Sequence, residues 1–451
     1  MHSIFFDLET TDLSPVGQIL NYAFVEVASD WSIKSSLHGK VKISRLQLPN
    51  PGSIVATRTD ILAHNESATE HEQLAMSKIQ RYIQDIVEWN DTRLIGFNSN
   101  RFDVPFLRTS FIRNGLNPYF GGSIKYGDVL HVVRRLACDR PDFCEKLSKR
   151  SDGRFDMRLE SVLRSLNLLA LSEQQEHESL ADVTLTIKLA KLLHDTYDID
   201  VRSYSSYEPS HGDKIVEVFP YFDEQNQLVS GEYCTMVLLE QNKTQALWIN
   251  LKKFQEGLGK KAISWYNKNT SAFYVKRRLP SDNALAARAR QELSHFNLQN
   301  FWPPKNCDVE QFIYMMPIDE IAALYDAVWR DDLFLLKQKH SSHVAKLYLR
   351  HLCNTADIST VEKHVVDYAL YRYGGRMKLD KDNFDVKFEE GVFSESFHPT
   401  YNELLAQIDE LSKVPENTHI MSQLKLFYEQ SAIAGLAGSK LKLINRRKQN
   451  E

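Results

Sequence analysis

Asp7 and Glu9 stand two positions apart in SIFFDLET, residues 3–10, an apolar run that predicts a buried strand ending in two carboxylates. Side chains alternate faces along a strand, so both acids point the same way. Two carboxylates side by side repel each other, and a divalent cation between them relieves the repulsion. A D-x-E pair also occurs on ordinary edge strands with both acids solvated, so its meaning depends on what completes it. Asp103 closes the loop GFNSNRFD at a strand-to-helix junction. There it reads either as a helix N-cap, worth about 1 kcal/mol, or as a third acid where α/β sheets gather functional groups. In HESLADV, His177 precedes Asp182, which falls in the first turns of a helix running through Ile187, Ala190 and Leu193. The helix would fix the aspartate as a ligand, and the lead-in would let the imidazole approach a water. A lone histidine ahead of a helix is otherwise a surface residue.

Holding these residues together requires a sheet and its covering helices. Residues 18–28 and 38–44 alternate well enough to be the second and third strands of a mixed sheet. Pro51-Gly52 then breaks the pattern. Leu74, Ile79, Ile83, Ile86 and Val87 recur at helical spacing, which predicts an amphipathic helix over 71–89. Residues 94–97 read as a short buried strand, with a helix after Asp103 carrying Pro105 in its first turn and Gly115 at its far end. A further helix is expected over 158–166.

With 451 residues the chain exceeds what one core organises and predicts two to three domains. Its 43% hydrophobic and 25% charged residues are those of a soluble globular protein rather than a disordered one. The net charge of −4 excludes a polycation that coats nucleic acid, so any such binding needs a local basic groove. Cys138, Cys144, Cys234, Cys307 and Cys353 form no C-x-x-C pair, which argues against a zinc knuckle or disulfide framework. With no long apolar run and no basic-then-apolar leader, a cytoplasmic protein with no membrane role is expected.

Residues 198–210, rich in Ser, Tyr and Asp, read as a linker. Short β-like runs follow at 214–222, 233–240, 246–251 and 272–279, and from 306 the pattern is helical, at 318–329, 341–353, 360–375 and 401–414. A stacking and phosphate-binding groove for a single strand needs basic residues interleaved with aromatics. Candidates are Trp265, Tyr266, Tyr274, Lys276, Arg277 and Arg278, then Tyr371, Arg372, Tyr373 and Arg376; individually, each reads as a core aromatic or a solvated charge. Lys440, Lys442, Arg446, Arg447 and Lys448 read as a frayed basic tail.

Taken in order, D-x-E, F-D and H-x-x-x-x-D resemble the DEDDh class of 3′–5′ exonucleases, with Asp7, Glu9, Asp103 and Asp182 as the acids and His177 as the histidine. The resemblance covers residues 1 to about 200. GFNSNRFD, GDVLHVVRRLACDRP and HESLADV further resemble stretches of the bacterial exonuclease I family, whose members digest single-stranded DNA. It implies an α/β ribonuclease H-like exonuclease domain over 1–200, a small β-rich SH3-like domain over 201–304 and an all-α domain over 305–451. Nucleoside 5′-monophosphates would be released processively, in DNA repair and recombination, by a monomer. Asp7 would bridge two ions, with Glu9 and Asp182 on the one that activates water, Asp103 on the other and His177 as general base. Oxygen ligands favour Mg²⁺, with Mn²⁺ able to substitute.

The implied substrate contacts are Thr10, Arg58, Arg101, Arg140, Tyr274, Arg277 and Arg372. Thr10 reads equally as a cap on local backbone. Arg140 matches a basic position that faces the acidic tail of single-stranded DNA-binding protein. The sequence departs from the class in the loop 51–59, with Arg58 where glycine is usual and Ala56 where a larger apolar residue is usual. The five chemical residues leave open an exoribonuclease of the same class, or a silent single-strand-binding scaffold.

Overall fold

The computed structural model describes residues 2–13, 17–44, 48–87, 91–114, 116, 120, 124–170, 178–219, 221–222, 227–228, 233–281, 283–298, 377–379, 386–388 and 401–431. The expected helices at 318–329, 341–353 and 360–375, the basic tail, Cys307 and Cys353 lie outside these residues.

The amino-terminal run forms β1 (His2–Thr10), which lies at the centre of its sheet rather than at an edge. β2 (Ile19–Val27) and β3 (Ile33–Lys40) follow as antiparallel neighbours. The third strand therefore starts earlier than residues 38–44; Val41 leaves it to bridge to Glu70. Pro51-Gly52 opens a helix rather than ending structure: α1 (Pro51–Ala56) starts at proline, whose fixed φ suits a first turn, and Asn50 Oδ1 accepts the Gly52 and Ser53 N–H groups. α2 (Ile61–Ser67) is capped by Asp60 in the same way. α3 (Glu72–Val87) buries Ala75, Met76, Ile79, Ile83 and Ile86, while Leu74 is exposed and not part of that stripe.

β4 (Thr92–Gly96) runs parallel to β1, and α4 (Asp103–Arg113) returns to β5 (Ile124–Asp128), parallel to β4. The sheet order is β3-β2-β1-β4-β5. α5 (Val129–Asp139), the short α6 (Pro141–Cys144), α7 (Leu159–Ser165) and α8 (Ser179–Tyr197) complete the domain. Alternation along β1 sends Ile4, Phe6 and Leu8 into a core with α3 and α4, and Phe5 into a second core with α5, α7 and α8.

Residues 198–210 are a packed strap and not a linker. Val201, Arg202 and Tyr207 are buried, the Arg202 guanidinium lies 3.8 Å from the centre of the Trp31 ring, and Arg93 donates to the Val201 carbonyl. Arginine and tyrosine here bring enough apolar surface to seal a domain edge while their polar ends find partners, Arg202 donating to the Ala28 and Ser29 carbonyls and the Tyr207 hydroxyl accepting the Trp248 indole N–H.

The strap leads to β6 (Ile215–Val218), the small pair β7 (Tyr221–Phe222) and β8 (Gln227–Leu228), then β9 (Cys234–Gln241) and β10 (Gln245–Asn250). After α9 (Leu251–Gln255) come β11 (Ile263–Asn267), β12 (Val275–Leu279) and α10 (Ala284–Glu292). The antiparallel order is β11-β10-β9-β6-β12. One face packs Ile215, Val237, Leu247 and Ile249 on α9 and α10; the other packs Trp248 on Tyr207 and Phe273.

Beyond residue 305 the chain is not all-α: β13 (Met377–Leu379) pairs antiparallel with β14 (Val386–Phe388). Each has only three residues, too few for a periodic signal. α11 (Tyr401–Leu411) and α12 (Thr418–Glu429) pack on α1 and α2, with the Tyr428 hydroxyl donating to the Pro49 carbonyl. Among the described residues no helix is long and apolar enough to cross a membrane.

Candidate metal centre

Asp7 and Glu9 follow Phe5 on the face of β1 that α8 covers. Glu9 lies opposite Asn21 of β2, and Asn21 Oδ1 accepts both the Ser179 N–H (3.2 Å) and the Ser179 hydroxyl (2.5 Å). The first turn of α8 is thereby pinned beside Glu9, and Asp182 on that turn faces the pair. One carboxylate oxygen from each of Asp7, Glu9 and Asp182 lies within 4.8 Å of the others.

Asp103 is not among those three. It is buried (4% exposed), and its Oδ1 accepts the Leu8 N–H at 3.1 Å, from the residue between the two strand acids. Asp103 is the first residue of α4 and not its cap, so the cap reading is corrected. Pairing of β1 with β4 runs only from His2 to Phe5, and the Leu8 N–H lies beyond it.

The electrostatics follow from the packing. Burial, then the charges of Asp103, Glu9 and Asp182, push the Asp7 carboxyl well above its usual range. Burial, with Asp182 and Asp103, pushes Glu9 up to about 8. Asp103 also reaches about 8, through burial and the charge of Asp128, against the Leu8 N–H that favours its ionised form. These acids do not all ionise near neutral pH without a cation to compensate them. Oxygen donors alone, closely grouped and partly desolvated, fit a hard divalent ion.

His177 lies outside the described residues; the next residue, Glu178, occupies the N-cap position of α8. Arg58 and Arg101 are exposed, and Arg58 has φ of 52°, a left-handed conformation that favours glycine. Arg140 is exposed and paired with Asp142 at 3.1 Å, and Arg277 is exposed and paired with Glu217. Two expected substrate contacts are corrected. The buried Thr10 hydroxyl donates to the Asp12 carbonyl, which is the local-cap alternative. Tyr274 is 2% exposed and its hydroxyl donates to the His131 carbonyl, because an aromatic at the junction with α5 is worth more as packing.

Trp265 and Tyr266 pack on the two cores of the second sheet, Arg278 pairs with Asp213, and Lys276 lies over the Tyr233 ring. Arg372, Tyr371, Tyr373 and Arg376 lie outside the described residues. Asn21 was not among the expected site residues; a polar side chain within the apolar run ILNYAFVEV was its one sign.

The amino-terminal part is a mixed sheet whose central strand presents two acids to a third on a crossing helix, and residues 4–190 match the Exonuclease family, RNase_T. Within that class, the chain is 30% identical over 149 residues to exodeoxyribonuclease I of Buchnera aphidicola subsp. Schizaphis graminum, covering 32% of this chain and 29% of the relative. The aligned stretch thus spans about a third of the length of the curated relatives. An exonuclease I structure from Methylocaldum szegediense matches with a TM-score of 0.61 at 16% identity, over 96% of this chain and 99% of that one. Escherichia coli exonuclease I in complex with a dT13 oligonucleotide matches with a TM-score of 0.58 at 16% identity, over 95% and 98%. Residues 4–190 match the Exonuclease family, and the chain is similar to exonuclease I.

Proposed function

We propose that the protein is a metal-dependent 3′–5′ exonuclease that releases nucleoside 5′-monophosphates from single-stranded DNA. The observation that carries this reading is the convergence of Asp7, Glu9 and Asp182, oxygens within 4.8 Å, inside a domain that matches the Exonuclease family. A pair of Mg²⁺ or Mn²⁺ ions, when bound, would supply a water that ionises near neutral pH and would offset charge on the leaving oxygen. Asp7, Glu9 and Asp182 would hold the ions, with Asp103 completing the set. His177 takes the proton from the attacking water.

The exonuclease I structure holding dT13 supports a single strand as substrate. Arg58, Arg101, Arg277 and Arg372 contact its phosphates. The same reading takes 1–200, 201–304 and 305–451 as three parts. An SH3-like sheet domain and the third part close around the strand for processive digestion by a cytoplasmic monomer in DNA repair and recombination. Arg140 receives the acidic tail of single-stranded DNA-binding protein.

The test is incubation with end-labelled single-stranded DNA, duplex DNA and RNA, in Mg²⁺ and in EDTA. Mononucleotides from single-stranded DNA in Mg²⁺ alone are expected. Release from RNA in preference to DNA would move the assignment to an exoribonuclease, and no hydrolysis of any of the three would overturn it.

A further inference from the structure

Asp128 ends β5 directly opposite Gly96, the last residue of β4 and the start of the loop that carries Asp103. Its side chain is 1% exposed. Its Oδ1 accepts the Asn98 N–H at 2.8 Å and the Leu130 N–H at 3.0 Å, and its Oδ2 accepts the Asn100 N–H at 3.1 Å. A buried carboxylate serving backbone donors on two segments dictates how those segments run, because losing it would strand buried N–H groups. The loop it holds is a forced one. Asn98 has φ of 62°, and a Cβ at Gly96 would meet Ser99 Cβ at 2.5 Å and the Phe6 carbonyl at 2.9 Å. The Val104 N–H then donates to the Ser99 carbonyl at 2.8 Å, which sets Asp103 with its carboxylate on the Leu8 N–H.

We propose that Asp128 is a positioning residue for the metal centre. It folds the 97–102 loop so that Asp103 reaches the backbone between Asp7 and Glu9. The same carboxylate faces His131 Nε2 at 3.8 Å, whose Nδ1 lies 3.0 Å from the Ser206 hydroxyl and whose carbonyl accepts the Tyr274 hydroxyl. Docking of the second sheet is in this way tied to the segment that bears the fourth acid. The inference rests on the nuclease reading, since it takes Asp103 to belong to the centre.

Asp128→Asn keeps the shape of the side chain but replaces one accepting oxygen with a donor. Mn²⁺ affinity, by titration of the protein without nucleic acid, is expected to fall about 10–100-fold, the range found when the groups that orient metal ligands are changed. The kcat on a single-stranded oligonucleotide should fall by a similar factor with KM unchanged, in a protein that still unfolds cooperatively. A role confined to folding would lower the melting temperature and leave Mn²⁺ affinity and kcat alone, which overturns the proposal. Should Asp128→Asn not fold, Asp128→Glu is read in the same way, and failure of both to fold assigns the residue to the fold alone and also overturns it. An inactive wild-type protein would sink the nuclease reading, whereas an active one matched by Asp128→Asn sinks only this inference.

Discussion

At the scale of the residue, the centre works against the stability of its own fold. Glu9 and Asp103 titrate near about 8 because burial and neighbouring acids disfavour their charged forms. A carboxyl whose folded pKa is raised contributes stability fully present below its unfolded value and lost as pH rises through the folded one. In EDTA, therefore, the melting temperature should fall between about pH 5 and about pH 8.5, and excess Mn²⁺ should restore it at the upper end by binding only the folded state. A melting temperature that rises across that window in EDTA would show the acids ionised without a cation. Asp182→Asn removes a like charge from Asp7 and Glu9. It should raise the melting temperature of the metal-free protein near pH 8 while lowering kcat more than ~100-fold, beyond the effect of residues that merely support a ligand.

At the scale of the element, single side chains decide where a helix begins and how a turn closes. Asn21 holds the start of α8 by two hydrogen bonds to Ser179. Asn21→Ala should cost about 1–2 kcal/mol in urea unfolding and should slow hydrolysis, since Asp182 rides on that turn. Unchanged hydrolysis would mean that α8 is held by its packing alone. The turn between α1 and α2 passes through Arg58 at φ of 52°, a conformation costing a non-glycine residue about 1–2 kcal/mol. Arg58→Gly should relieve that strain at the expense of a more flexible unfolded chain. The net stabilisation is expected to be no more than ~1 kcal/mol, with a higher KM for single-stranded DNA if the guanidinium touches phosphate. Thermal melts and steady-state kinetics on one preparation separate the two effects.

At the scale of the molecule, the two sheets join through α5 and the strap. Arg135 reaches Asp139 at 2.8 Å, Glu208 at 3.3 Å and the Val275 carbonyl at 3.4 Å, and Glu208 accepts the Val275 N–H. Arg135→Ala would leave Glu208, largely buried and already pushed up by desolvation, without its cation. A loss of more than about 1 kcal/mol is expected, with separate unfolding transitions for the two sheets if this junction couples them. A single unshifted transition by fluorescence and circular dichroism would place the coupling elsewhere. At the far end of the chain, α11 and α12 brace the α1–α2 segment through Tyr428 on Pro49 and His419 on Asp60.

Read from sequence alone, the grouping of Asp7, Glu9 and Asp182 and the strand and helix that bear them were legible, because a period of two sends Asp7 and Glu9 to one face and a helical period places Asp182 on a first turn. Local patterning also announced the β-rich stretch after residue 214. It misassigned what depends on distant partners: α1 where Pro-Gly suggested a break, the strap where Ser and Tyr suggested a linker, and Tyr274 as a contact rather than a wedge against α5. Asn21, Asp128 and the Leu8 contact of Asp103 had no periodic signature at all. Their significance comes from groups far away in the chain, since hydrogen bonding of buried backbone is settled only once the sheets and helices have met.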